Sequence, residues 1–381
     1  MPQILVIDDD PTIQILLKRA FSSSGYSVQI AGDGQKGIEL AEKIKPALII
    51  CDWLMPKLSG LEVCQFVKKN PLLNTTFFVL MTSRVSVEDR IQGLDVGADD
   101  FICKPIDLQE LKARVRAGLR LHQLSKDLEI QKQLLETELN EAAEYVSSLL
   151  PDFLDDKNIL INYMFIPSLH LGGDIFDYFF LDEQHLVFYL LDISGHGLKA
   201  ALPSISILNL LRSRRLGILN YYSPCEVLYH LNNNFQMSEK NDKYFTIWYG
   251  VLNVKTGNLT YCSAGHPPCV LLLENNREKM NQICLKTLGL PIGMFPNIAY
   301  QNASINVGSS ANLYLFSDGI YEVKNDQGDI LGLDNFVELL CQFNNELNPI
   351  LNFLKTYHNS SNFSDDLSII HLKYSQQVLP S

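Results

Sequence analysis

At 381 residues, with 46% apolar side chains, the chain is too long for one ordinary domain and fits two cores joined by a connector. Its net charge of −12 excludes a general binder of nucleic acid or of anionic membrane, which needs clustered Lys and Arg; the one tight basic cluster, Arg212, Arg214 and Arg215, reads as a solvated helix end. No run approaches about 18 uncharged apolar residues and no charged leader precedes an apolar stretch, so a cytoplasmic protein that does not span a membrane is expected.

Gln3 to Ile7 is an apolar strand that runs into Asp8, Asp9 and Asp10. A helical pattern follows through Ile13, Leu16, Leu17 and Phe21, then a strand from Ser27 to Ala31 and a helix from Gly34 to Ile44. Ala47 to Cys51 is apolar and ends at Asp52, Thr76 to Met81 ends at Thr82, and Asp100 to Cys103 ends at Lys104 and Pro105. Strands alternating with helices at this spacing predict a doubly wound parallel sheet, and such sheets place ligands beyond the carboxyl ends of their strands. Asp8, Asp9, Asp52, Thr82 and Lys104 all fall at that edge. One Asp after a strand is usually a helix cap, but three carboxylates converging on one edge repel unless a hard divalent cation, Mg²⁺ by preference, sits among them. With an ammonium and a hydroxyl beside them, the chemistry supported is phosphoryl transfer onto a carboxylate.

This segment resembles the receiver domain of two-component response regulators over residues 2 to 122. The resemblance rests on Asp8-Asp9, Asp52 followed by Met55-Pro56 and Gly60, Thr82, Gly97-Ala98-Asp99-Asp100-Phe101, and Lys104-Pro105. It implies that Asp52 is the phosphoacceptor, that Asp8, Asp9, Asp52 and the carbonyl of Leu54 hold Mg²⁺, that Thr82 and Lys104 contact the phosphoryl group, and that Phe101 is the switch aromatic. Ser83 stands where the family often has a small Ala, a mild departure.

From Asp107 to Leu150 a long helix is predicted, with Leu121, Leu124, Leu128, Leu135, Leu139, Ala142, Val146 and Leu149 on one narrow seam and mostly Glu, Gln, Lys and Asn between them. Such a stripe needs a partner, and a second copy of the chain in a parallel coiled coil is the simplest. Gln131 on the seam, and the step of four from Leu135 to Leu139, make the pairing irregular and weak enough to shift.

Beyond Pro151 strand-like runs cluster at Ile159–Phe165, Leu186–Leu191, Thr246–Val254, Leu259–Ser263, Val270–Leu273, Asn312–Phe316 and Leu367–Leu372, with helices at Gly197–Leu216, Pro224–Met237 and Asn335–His358. Asn232 to Lys243 reads as a helix end and loop. The pattern predicts an α+β domain, an antiparallel β-sandwich flanked by helices. Acidic residues again end strands or sit in Gly-marked turns: Gly172-Gly173-Asp174 with Asp177, Asp192-Ile193-Ser194-Gly195-His196-Gly197, Ser317-Asp318-Gly319 and Asp365-Asp366. Without a matching set of basic partners, these four signals point to a pair of divalent cations.

The region from 158 to 374 resembles the bacterial, SpoIIE/RsbU-like branch of the metal-dependent PP2C-type serine/threonine phosphatases, which acts on regulators of sigma factors. Besides those acidic motifs, Ala264-Gly265-His266-Pro267-Pro268 and Leu290-Pro291-Ile292-Gly293 occur in family order. The resemblance implies two Mn²⁺ or Mg²⁺ ions, with Asp192 bridging them, the carbonyl of Ile193 as a ligand, and Asp318 and Asp365 on the second ion. Asp174 would complete the shell, and Asp366 could share the role of Asp365. His196 and His266 are candidate general acids, but Gly-flanked histidines more often fix loop backbones. No arginine inside the acidic motifs clamps phosphate.

Gly172-Gly173-Asp174 after a receiver also suggests a diguanylate-type cyclase, but Ile175 follows where that family needs Glu, and Asp318 and Asp365 would be unexplained. A phosphoprotein-binding scaffold without catalysis stays open as the alternative, and a DNA-binding regulator lacks a basic helix-turn-helix. The expected organisation is a receiver at 1–122, a helical linker at 123–150, a phosphatase domain at 151–375 and a tail at 376–381. The expected partners are a sensor histidine kinase, a phosphorylated anti-sigma-factor antagonist and a second copy of the chain. The eight cysteines, with no C-x-x-C pair, read as reduced core residues.

Overall fold

Every residue of Leu48–Asp52 is buried, as a strand covered on both faces requires, and the first unit is built around it. The computed structural model describes residues 3–83, 87–156, 158–168, 171–215, 220–237, 242–273, 281–343, 346–360 and 363–376, in two compact units, Met1–Glu136 and Thr137–Ser381. The expected positions Met1, Pro2, Leu216, the loop stretch 238–241 and the tail 377–381 lie outside the described residues.

In the first unit β1 (Gln3–Ile7), α1 (Pro11–Ser22), β2 (Ser27–Ala31), α2 (Gly34–Ile44), β3 (Leu48–Asp52), α3 (Gly60–Lys69), β4 (Phe77–Thr82), α4 (Val87–Asp95) and β5 (Asp100–Cys103) alternate, and the strands form a parallel sheet in the order β2-β1-β3-β4-β5. Local chemistry starts each early helix. Asp10 accepts from the Thr12 amide ahead of Pro11, Asp33 accepts from the Lys36 amide, and Ser59 and Glu62 close a capping box. Gly60 has no alternative, because a Cβ there would collide with the Asp52 carbonyl. The helix α5 (Leu108–Ser148) begins in this unit and ends in the second. Among the described residues no helix is long and apolar enough to cross a membrane.

The second unit contains β6 (Leu154–Asp156), β7 (Ile159–Ile166), β8 (Ile175–Phe180), β9 (His185–Ile193), α6 (Leu198–Arg212), α7 (Pro224–Asn234), β10 (Phe245–Asn253), β11 (Asn258–Ala264), β12 (Cys269–Leu273), β13 (Asn281–Leu285), β14 (Ala303–Asn306), β15 (Ser310–Phe316), α8 (Leu333–Gln342), α9 (Leu347–His358) and β16 (Leu367–Ser375). Two antiparallel sheets, β14-β11-β10-β9-β8 and β13-β12-β15-β16-β7-β6, pack face to face. Alternation sets the layers. Leu186, Phe188 and Leu190 of β9 enter the core between the sheets, while Val187, Tyr189, Leu191 and Ile193 face α6 and α7. On the other side Phe316, Leu367 and Ile369 meet α8 and α9.

Four strands, β6, β8, β13 and β14, are additional to those expected from the sequence. The single helix expected over Asn335–His358 is two, α8 and α9, because Pro349 lacks an amide hydrogen and fits only a first turn, so a helix has to restart just before it. The seam of the long helix is also divided. Leu121, Leu124, Leu128 and Leu135 are exposed, whereas Leu139, Ala142 and Val146 pack on Leu171 and on Ala201 and Ile205 of α6, and Leu149 joins the core under that helix. The last turns of the stripe therefore find their partner inside their own chain. Of the cysteines, Cys51, Cys64, Cys262 and Cys269 are buried and Cys284 is exposed.

The arginine cluster lies on an exposed helix end, as expected, but it corrects the reading of Asp177. Arg212 grips Asp177, 2% exposed, through Nε and a terminal nitrogen at 2.6 and 3.1 Å, and Arg214 donates to the Phe180 carbonyl at 2.9 Å. Asp177 thus has a basic partner and is not part of the acidic site. Burial pushes its carboxyl up, and the guanidinium pulls against that shift. Replacing Arg212 by Leu should lower stability by about 3–5 kcal/mol, since it strands a buried carboxylate, and Asp177→Leu in the same chain should recover most of it; thermal unfolding of both variants checks this.

Candidate functional site

The parallel sheet delivers Asp8, Asp52 and Thr82 to its carboxyl edge because β1, β3 and β4 end there in register, and β5 adds Lys104. Asp8, Asp52 and Thr82 are buried and Asp9 is exposed. Ligand atoms of Asp8, Asp9 and Asp52 all lie within 4.8 Å of one another. The Lys104 ammonium stands 3.0 Å from Asp52 Oδ1 and 3.3 Å from Asp8 Oδ2. Burial raises the Asp8 carboxyl, helped by the charge of Asp52, against the Asp10 amide and Lys104. For Lys104 burial disfavours the charge, but hydrogen bonds and charges of Asp52 and Asp8 outweigh it and hold the ammonium above its ordinary range. An all-oxygen donor set that one ammonium only partly neutralises fits a hard divalent ion.

Leu54 lies in the turn after β3 with its side chain exposed. Phe101 is half-buried, its ring set against Gly93 of α4 so closely that a Cβ there would touch it. The acids beside Phe101 are structural: Asp99 accepts from Lys68 at 2.6 Å and from the Phe78 amide at 2.7 Å, and Asp100 pairs with Arg114 at 2.6 Å.

In the second unit the sandwich gathers acids at one end. Asp192 ends β9 beside Asp174 at the start of β8, while Asp318 follows β15 and Asp365 precedes β16 on the other sheet. The backbone is tied across by Ser317, whose amide donates to the Ser368 carbonyl and whose hydroxyl donates to the Asp366 carbonyl. Asp366 is engaged as an anchor: Oδ1 accepts from the Ser168 amide at 2.8 Å, and Oδ2 from the amides of Gly173 and Asp174 at 2.6 and 3.2 Å. This contact explains the Gly-Gly pair. A Cβ at Gly172 would strike the Asp366 carboxylate, and one at Gly173 the Ile193 carbonyl.

These acids raise one another's proton affinity. Burial pushes the Asp192 carboxyl up to about 8, with the charges of Asp318, Asp365 and Asp366 adding to it and a hydrogen bond from Asp174 opposing. Asp192 is part-exposed as a residue, but its carboxyl is enclosed. Asp174 is driven up chiefly by burial, then by Asp192 and Asp366, and its Oδ2 is buried without a hydrogen-bond partner. Burial likewise raises Asp318 and Asp365. Enclosed, mutually repelling carboxyls with an orphaned oxygen suit divalent cations. Among the described residues no three of these carboxyls are close enough together for one ion, as Asp8, Asp9 and Asp52 are, so a single ion does not reach them all.

His266 is fully buried, its Nδ1 is 2.8 Å from Thr246 Oγ1, and burial lowers it to about 3, so it stays neutral and holds the strand opposite Asp192. His196 is exposed, and its charge reaches Asp365. The sequence offered no signal for Asp366 as a backbone anchor, since the amides it binds lie about 190 residues away.

Comparison with known proteins gives each unit a relationship. Residues 4–116 match the response regulator receiver domain, and residues 182–375 match Stage II sporulation protein E (SpoIIE). The chain is 42% identical over 137 residues to the DNA-binding dual master transcriptional regulator RpaA of Synechocystis sp., covering 35% of this chain and 57% of that protein. It is 42% identical over 122 residues to the response regulator MprA of Mycobacterium leprae, covering 31% and 51%. It thus spans about half the length of the curated relatives it matches, and the alignments cover about a third of it. Among solved structures, the SiaA-PP2C domain of Pseudomonas aeruginosa superposes with a TM-score of 0.55 at 16% identity, covering 65% of this chain and 99% of that one, a likeness of fold. With a receiver sheet at one end, a PP2C-like sandwich at the other and the second match extending over half its length, the chain belongs to the Stage II sporulation protein E family and carries a response regulator receiver domain.

Proposed function

We propose that a sensor histidine kinase phosphorylates Asp52, and that this controls metal-dependent hydrolysis of phosphoserine or phosphothreonine on a partner protein, an anti-sigma-factor antagonist, in the cytoplasm. The observation that carries the reading is the contrast between the two acidic sites. The first holds a lysine between its carboxylates, as a site that binds and keeps a phosphoryl group needs. In the second, Asp174 is buried with an unpartnered oxygen and Asp192 is raised by burial and then by its acidic neighbours, which suits metal-assisted hydrolysis.

In the receiver, an Asp52 oxygen forms the new bond to phosphorus as the kinase histidine leaves, Lys104 binds the arriving phosphoryl oxygens, and Thr82 at the end of β4 offers its hydroxyl. Asp8, Asp9, Asp52 and the Leu54 carbonyl would hold Mg²⁺. In the phosphatase, Asp192 would bridge two Mn²⁺ or Mg²⁺ ions, with Asp174, the Ile193 carbonyl, Asp318 and Asp365 completing the set. Such ions neutralise the phosphate and lower the pKa of a bound water. Asp366 serves by holding the backbone amides of Ser168, Gly173 and Asp174 in place.

The linker supports control. The last turns of α5 pack on Leu171, one residue before Gly172-Gly173-Asp174, and Leu171 accepts from the Gly197 amide at 2.9 Å, at the end of the Asp192 turn. The exposed leucines from Leu121 to Leu135 would pair with a second copy. The test is hydrolysis of p-nitrophenyl phosphate by the full chain with Mn²⁺, with and without acetyl phosphate. Acetyl phosphate should change the rate at least about fivefold, the scale of an ordinary coupling free energy, and Asp52→Asn should keep the basal rate and lose the change. A chain inert toward the ester under every condition would instead favour a non-catalytic scaffold.

A further inference from the structure

The motifs that carry the carboxylates of the second unit, Gly172-Gly173-Asp174, Asp192 to Gly197, Ser317-Asp318-Gly319 and Asp365-Asp366, contain no arginine. Yet a phosphomonoester carries close to two negative charges, and attraction from a fixed cation would aid its approach.

Lys243 brings a cation to the turn that follows Asp192. It lies two residues before β10, in which Thr246 pairs with Asp192 across the ladder. Its neighbour is locked onto the acidic turn: the Ser194 amide donates to the Tyr244 carbonyl at 3.0 Å, and the Tyr244 amide to Ser194 Oγ at 3.4 Å. The Lys243 ammonium comes 2.8 Å from the position a Cβ would take at Gly195. Gly195, at φ +88°, therefore does two things, making the turn and leaving room for the ammonium. The opposite face of the same turn, through the carbonyls of Ile193 and Gly195, packs against Gly173 beside Asp174. The turn that follows Asp192 thus has an ammonium against Gly195 and has Gly173, the residue before Asp174, against its Ile193 and Gly195 carbonyls.

We propose that Lys243 binds phosphoryl oxygens of the substrate at the mouth of the Asp192 site. The inference rests on the phosphatase reading. Lysine suits the place because an ammonium on a flexible stem follows a phosphate from ester to free anion without demanding one bidentate geometry.

The test uses the full chain with Mn²⁺, p-nitrophenyl phosphate as substrate and inorganic phosphate as a ligand that needs no turnover. Lys243→Met should raise KM about tenfold and weaken inorganic phosphate binding in parallel, the scale of one charge-assisted hydrogen bond, with kcat within about threefold. Lys243→Arg should restore most of both. Added salt should narrow the gap between wild type and Lys243→Met. Unchanged KM and phosphate affinity in Lys243→Met, or a loss that Lys243→Arg does not rescue, overturns the proposal. Wild-type chain that binds phosphate but hydrolyses no ester overturns the phosphatase reading, and the phosphate titration still decides the role of Lys243.

Discussion

Asp192→Asn should abolish phosphoester turnover, on the order of a thousandfold or more, and at the same time make the metal-free protein more stable at pH 8. The two effects share one cause. The Asp192 carboxyl is pushed up to about 8, first by burial and then by Asp318, Asp365 and Asp366, against 3.8 without those neighbours. A raised carboxyl means that the folded chain holds a proton which the unfolded chain has released. The contribution of Asp192 to the stability of the metal-free protein is therefore fully present below about pH 4, falls as pH climbs through the interval to about 8, and is lost above that. At 1.36 kcal/mol per unit the interval is worth on the order of 5 kcal/mol, spread among the neighbouring carboxyls that titrate with it. Asparagine cannot ionise and escapes the loss. Thermal unfolding without metal should show the variant ahead at pH 8 and level with wild type near pH 4, and Mn²⁺ should reverse the order at pH 8 by stabilising wild type more. A variant that keeps turning over substrate with Mn²⁺ would remove Asp192 from the site.

The receiver was largely legible because its site is written at strand ends. An apolar run followed by Asp or Thr places a residue at the sheet edge whatever the rest of the chain does, and α2 and β5 begin and end where the sequence puts them. The sandwich was legible in class but less so in detail. The strand β8 contains Asp177, whose charge hides the strand until Arg212, 35 residues on, is seen to pair with it. Asp365 and Asp366 are adjacent and chemically identical, so sequence could not separate a carboxylate that accepts only its neighbour's amide from one that anchors amides about 190 residues away. Nor could the periodicity of the long helix reveal that its last turns, at Val146, are covered by Leu171 and Ala201, since an apolar stripe looks the same whether its partner is a second copy or its own chain.

That division of the seam sets up a test of phase. An α-helix turns about 100° per residue, so one extra residue between Leu124 and Leu135 rotates everything after it by about 100°, while seven rotate it by about 700°, within about 20° of register. The last turns of α5 are fixed on Leu171 and α6, so a signal carried along the helix as rotation or as pairing of Leu121, Leu124, Leu128 and Leu135 has to arrive in phase at Val146. The seven-residue insertion should keep the response to acetyl phosphate, the one-residue insertion should lose it, and both should keep basal hydrolysis, because the inserted site is far in sequence from Asp174, Asp192, Asp318 and Asp365. Leu124→Asp with Leu128→Asp should lower the molecular mass to that of one chain and remove the response as well, since a charge at each of two seam positions cannot be paired across a parallel dimer without repulsion. A response indifferent to phase would mean that the helix is only a tether, and a chain that is monomeric with and without the phosphodonor would remove the dimer from the mechanism. Coupling of this kind requires only a few kcal/mol between two arrangements, and in the proposed dimer Gln131 on the seam would keep the pairing within reach of one phosphoryl group.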